Sequence, residues 1–245
     1  MRAAIMACRT TFVYISLLLP VFIGPVFVGL SWQEARADDC QALPTAGINW
    51  QDCDKTRLML RGSDLGGANL VGANFSYTDL RDNNLAAANL EKAMLVRASL
   101  AGATAKGAHF ARIEAYRTDF SGMDATGASF QNAELHRSNF QHAKLADADF
   151  TKADLGRSQF DGAELGGSRF SLAILARADF RGATFAKPAD FDRAFLFLTR
   201  IEGVDLAAAT GLIQWQVDMA CGDDKTVLPA GLTKPKTWPC NFQQE

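Results

Sequence analysis

Histidine and tyrosine are scarce, three of each in 245 residues, and proline appears only seven times. So few histidines leave little from which to build a metal centre. His136 and His142 lie close in sequence but fall on different sides of any repeating coil and lack a third ligand at zinc spacing, and His109 stands alone. No serine or cysteine sits beside a placed base, so no nucleophile is prepared for covalent chemistry. A strong charge of either sign is also missing: the formal net charge is −2. That excludes the basic excess of a nucleic-acid binder and the dense acidity of a nucleic-acid mimic. Conventional periodicity is absent too, because the apolar residues follow neither the 3.6 period of a helix nor the alternation of a strand.

What is present is a period of five. From Leu60 to Phe185 every fifth residue is Leu or Phe in 23 of 26 positions, the exceptions being Ala105, Ala115 and Ala125. Two residues earlier, 22 of 26 positions hold Ala, Ser or Thr. Five steps round an α-helix advance by about 140°, which scatters these side chains over all faces. Five steps along a strand reverse the face each time. A chain that turns by a fixed angle every five residues satisfies the pattern, with stacked turns burying one apolar column. Ile113 and Met123 precede Ala115 and Ala125, so a small centre is matched by a large neighbour. Ala105 follows Ala103 and has no such match, and Asn83 is the one amide among the inward positions, where it needs a partner.

The triplets Ala68-Asn69-Leu70, Ala73-Asn74-Phe75, Ala88-Asn89-Leu90 and Ala153-Asp154-Leu155 closely resemble the pentapeptide-repeat family. The resemblance implies an all-β solenoid, a right-handed quadrilateral β-helix with 20 residues per coil. With four sides, Phe110, Phe130, Phe150 and Phe170 form one inward column and Phe120, Phe140, Phe160 and Phe180 the opposite one. The phase slips by one at Lys187-Pro188 and resumes through Phe191, Leu196, Ile201 and Leu206, about 7.5 coils in all.

The organisation expected is a signal peptide over 1–37, an N-terminal cap over 38–57, repeats over 58–206, and a C-terminal helix and cap over 207–245. Arg2 and Arg9, the apolar run Phe12 to Leu30, and Ala35-Arg36-Ala37 mark the signal, cleaved after Ala37. Retention as a membrane anchor is the alternative, and membrane contact is confined to that case. Without the leader, Lys plus Arg is 22 and Asp plus Glu 26, a net charge of −4. Four cysteines remain, Cys40, Cys53, Cys221 and Cys240, an even count that points to disulfides in an exported chain. Three pairings are open, the local one, Cys40–Cys53 with Cys221–Cys240, being the simplest. The segment Cys40 to Cys53 and the tail from Cys221 through Trp238 also resemble the flanks of exported bacterial repeat proteins. The helix is expected over Leu212 to Ala220, with Gly222 ending it and Thr210 as an N-cap in place of Ile213.

The most distinctive outward feature is a column of arginines: Arg97, Arg117, Arg137, Arg157 and Arg177 stand 20 apart, with Arg57 and Tyr77 continuing the line. Two readings are open. In one, Glu114, Glu134, Asp154, Asp119 and Asp179 neutralise the column in an ion-pair ladder. In the other, it receives an anionic partner. The functional expectation is a non-enzymatic periplasmic or secreted scaffold that needs no cofactor. Its partner is a protein or an anionic envelope polymer and not nucleic acid, and a homodimer is allowed. The family's gyrase-binding members, which resemble DNA in shape and acidic charge, supply the first alternative. An envelope hydrolase or metal-dependent enzyme is the second.

Overall fold

The computed structural model describes residues 40–240. The leader 1–37 and its cleavage point lie outside the described residues. Each coil is a square of four short sides, and nearly every side meets the same side of the next coil through a parallel bridge. Side 1 runs from Asn49 to Thr210, side 2 from Asp54 to Phe195, side 3 from Met59 to Cys221 and side 4 from Asp64 to Val227. At most corners the chain closes a turn from the central residue to the third one on, as in Ala98 N–H to the Leu95 carbonyl. The residue in between takes a positive φ, near 55–78° whether it is glycine or not. That turn is the physical origin of the five-residue period.

The Leu and Phe centres are almost all buried along the shaft, as are the small residues two places before them. The two phenylalanine columns are as expected: rings of one column stack 4.7–5.2 Å apart, while Phe130 and Phe140, from different columns, meet edge to face at 5.8 Å. The small inward residues serve a second purpose. Thr118, Ser138, Ser158 and Ser168 each donate a hydroxyl to the carbonyl 23 residues back, on the coil before. Asn83 is only half accommodated, its Oδ1 accepting from Ser63 N–H at 3.0 Å while its buried Nδ2 has no partner. Ala103 and Ala105 are fully buried, and the larger Asn83 and Met123 occupy the same inward column one coil to either side.

Both ends depart from the expected boundaries. The bridge ladder begins at Asn49, inside the segment assigned as a cap over 38–57, because Trp50 and Lys55 fill central positions where Leu or Phe is usual. Lys55 is tolerated there because its ammonium lies 3.7 Å from the centre of the Trp50 ring and donates to the Cys40 carbonyl. Cys40 is bonded to Cys53, and Cys221 to Cys240, with Cα atoms 5.4 Å apart in each pair. At the other end the ladder passes residue 207 and continues through Arg200–Cys221 and Asp205–Val227.

The helix α1, Gln214–Met219, is shorter than the expected span and takes the place of the next rung on side 2. Thr210 does not cap it, since its backbone is engaged in the bridge to Asp190. Instead Gln216 Oε1 accepts from Ile213 N–H at 2.8 Å, and its Nε2 donates to the Phe191 and Ala194 carbonyls beneath. Nor is Gly222 a left-handed terminator. Ala220 ends the helix in extended geometry, and Gly222 is required because a Cβ there meets the Trp238 ring at 2.4 Å.

The slip at Lys187-Pro188 is absorbed at one corner. Gly166 makes room for it, a Cβ there falling 2.9 Å from the Lys187 nitrogen. The bridges that cross the slip on sides 1 to 3, Arg169–Asp190, Ile174–Phe195 and Asp179–Arg200, span 21 residues instead of 20.

Candidate docking face

The arginines occupy the corner between sides 2 and 3, each at the positive-φ position of its turn, with φ of 55–60°. An L-residue there costs of the order of 1–2 kcal/mol that glycine avoids, and glycine holds the equivalent corner between sides 3 and 4 at Gly102, Gly122, Gly162 and Gly182. Arginine is therefore not the residue that this turn favours. Arg97, Arg117 and Arg157 are exposed, and Arg137 and Arg177 half-buried.

The intramolecular ladder is not what forms. Among the described residues, no ion pair joins Arg97, Arg117, Arg137 or Arg157 to a carboxylate. The acids that were to neutralise them are engaged elsewhere or stand alone. Asp179 pairs with Arg181 at 2.6 Å. Asp119 accepts from Ser121 N–H and Asn139 Nδ2, and Asp154 accepts from Gly156 N–H and faces His136 at 3.8 Å. Glu114 and Glu134 make no ion pair.

What the column does meet is aromatic. Arg117 lies 5.2 Å from the Tyr116 ring centre, and Arg57 and Arg97 flank the Tyr77 ring at 5.6 and 5.8 Å. Arg137 Nη1 reaches the Tyr116 hydroxyl at 3.5 Å. These contacts orient the guanidinium groups and leave their charge unneutralised. Neighbouring cations one coil apart then repel by about 0.8 kcal/mol in water.

Elsewhere charges do pair. Asp79 on side 3 receives two bonds from Arg81 and is held at about pKa 2 by them. Asp149 on side 1 is nearly buried, which opposes its ionisation; bonds from Arg169, Thr151 and Gln131 outweigh that and hold it at about 2. Of the histidines, His136 stacks near Tyr116 on side 2, while His142 lies over Gly162 at the corner between sides 3 and 4, so the fold separates them.

Sequence reasoning missed an apolar end to side 2. Ile174, Phe195, Phe197 and Trp215 are exposed by 39–59% where outward positions are usually polar. Ile174 bridges to Phe195, and the Phe195 and Phe197 rings stack at 6.2 Å. The available signal was the loss of polar residues at the outward phase after residue 172.

A four-sided coil with a filled shaft defines a solenoid of the quadrilateral β-helix class. The chain belongs to the pentapeptide-repeat family: models of a pentapeptide repeat region match residues 97–170, and models of pentapeptide repeats match 150–194 and 56–85. Among solved structures it is similar to full-length QnrB1, a plasmid-mediated fluoroquinolone resistance protein. That match has 20% identity and a TM-score of 0.52, over 75% of this chain and 92% of that one. A trypsin-treated variant of the same protein matches with 21% identity and a TM-score of 0.51 over the same shares. HetL, a pentapeptide repeat protein involved in heterocyst differentiation regulation from the cyanobacterium Nostoc sp. strain PCC 7120, aligns at 22% identity over 74% of this chain and 92% of its own. Its TM-score is 0.34. No curated protein matches the chain. At such identities the likeness concerns the fold alone.

Proposed function

We propose that the protein is a non-enzymatic scaffold, exported to the periplasm or secreted after cleavage behind Ala37. In this reading it presents the corner between sides 2 and 3 to an anionic protein or envelope polymer. The observation that carries the proposal is the run Arg97, Arg117, Arg137 and Arg157: four cations at one constant spacing, held on a rigid edge and, among the described residues, in no ion pair with a carboxylate. Rigid, pre-spaced guanidinium forks lose little entropy on meeting carboxylate or phosphate. A filled shaft offers no cleft of the kind catalysis needs, which supports a binding role. The DNA-mimicking reading calls for an acidic edge, and this edge is basic.

The test is retention on a carboxylate resin. Changing Arg117, Arg137 and Arg157 to Gln should abolish capture at moderate salt. The same change at Lys106, Lys144 and Lys187, on or beside side 4, should leave most of it. Equal losses from the two triples reduce the column to general electrostatics and overturn the proposal.

A further inference from the structure

We infer that the occupant of this face is a second copy of the chain, docked side by side and pointing the same way, about a two-fold axis that runs along the rod. The inference rests on the docking reading above and names its partner.

Side 2 carries two opposed columns at equal heights. Glu114, Glu134 and Asp154 stand at its bridge positions, and Arg117, Arg137 and Arg157 stand at its corner, three residues on in each coil. Within one chain the columns form no ion pair among the described residues; Arg117 and Arg137 turn instead to the ring and hydroxyl of Tyr116. Rotating a second copy by 180° about an axis between them sets each acidic column against the other copy's arginines, rung by rung. Glu134 of one copy lies level with Arg137 of the other, and the reverse pair forms by symmetry. Both copies are built on the same 4.7–5.2 Å stacking repeat, so the register holds along all three rungs. The column on the axis itself is small at Gly156 and Ala176, between Tyr116 and His136 on one side and Phe197 on the other, so the flats approach most closely there.

Charge and the apolar end choose the same direction. An antiparallel copy centred on His136 turns about an axis across the face and sets each column on its own kind, Glu114 against Asp154 and Arg117 against Arg157. In the parallel arrangement Phe197 meets its own counterpart on the axis, and Phe195 meets Leu198, the residue that replaces arginine in the last rung of the corner column. The antiparallel arrangement lays the same exposed rings on Asn74, Ser76 and Tyr77, a largely polar rung. Only the parallel pairing covers apolar surface with apolar surface while every charge column finds its opposite.

The experiment uses the full chain carrying Cys8→Ser. Sedimentation at roughly 50 mM salt should show a dimer that dissociates as salt screens the pairs toward 0.5 M. Glu134→Arg and Arg137→Glu should each weaken association at least tenfold, and mixing the two variants should restore a 1:1 dimer. Under mild oxidation Val96→Cys and Ala176→Cys should each cross-link to itself. Cross-linking only when those two variants are mixed establishes the antiparallel arrangement and overturns the inference. So does a monomer at every salt concentration, or a charge-swapped mixture that stays monomeric. A monomer that still loses resin capture with the Arg117, Arg137 and Arg157 triple removes this inference and leaves the docking reading standing.

Discussion

Asn83→Ser should make the protein more stable, although it shortens a buried side chain. In the native chain the Asn83 Nδ2 is buried without an acceptor, a state that costs about 1–3 kcal/mol. Serine at the equivalent inward positions donates to the carbonyl 23 residues back, as Ser138 does to Ala115 at 2.6 Å and Ser158 to Leu135 at 2.7 Å. Counting back from 83 reaches Leu60, whose carbonyl accepts only the 3.2 Å bond from Ser63 N–H. The new hydroxyl bond contributes about 1 kcal/mol. Against this stand a volume loss of about 25 Å³, at about 0.6 kcal/mol, and the lost bond from Ser63 N–H to Oδ1, at about 1 kcal/mol. The net expectation is a gain of about 1 kcal/mol, read as a higher urea midpoint at unchanged slope. Asn83→Ala removes the orphaned amide without supplying the hydroxyl, and should fall below Asn83→Ser by about 1 kcal/mol. A midpoint for Asn83→Ser at or below that of Asn83→Ala refutes the reasoning.

Two further outcomes follow from pairs that the structure makes. Asp149 is depressed to about 2 in the folded protein and near 3.9 when unfolded, so its ionisation contributes at most about 2.6 kcal/mol, present above pH ~4 and lost as pH falls toward ~2. Urea midpoints between pH 2 and 6 should therefore fall less steeply in Asp149→Asn than in the native chain; parallel curves dismiss the idea. Replacing Cys240 by Ser opens the bond to Cys221 and should cost about 3 kcal/mol, with raised amide exchange confined to residues 221–240. Exchange that rises instead throughout the coils means that the tail supports more of the ladder than its contacts indicate.

The shaft was legible because burial acts on every fifth residue in one unbroken phase from Leu60 to Phe185, and hydrophobic size is recorded directly in the residue type. Its limits were harder to read. Trp50 and Lys55 break the Leu/Phe habit, and only the contact between their side chains explains why a lysine can sit inward. At the other end a glutamine side chain, Gln216, replaces the missing rung's bonds with two of its own, a substitution that no periodicity announces.

The arginine column was equally visible as a spacing, whereas its pairing was not. Most of the charge pairs that form join residues two apart on one side, as Asp79 with Arg81, or residues 18 to 21 apart on adjoining coils, as Lys106 with Asp124 and Arg61 with Asp82. Among the described residues, the expected offset of three forms no ion pair at Arg117 or Arg137, which turn to Tyr116 instead. Long side chains choose among several reachable neighbours, and that choice depends on corner direction, which sequence spacing does not encode.

The single surplus residue beside Gly166 shows how such a molecule accepts length. The aromatic shaft admits no fraction of a turn, so the additional residue is pushed out at an edge, and among the described residues Thr184 and Asp205 form no bridge across the break. Insertions of twenty should pass almost unnoticed, while smaller ones scar a seam. Descendants of this chain can be expected to differ in height by whole floors, with their girth unchanged.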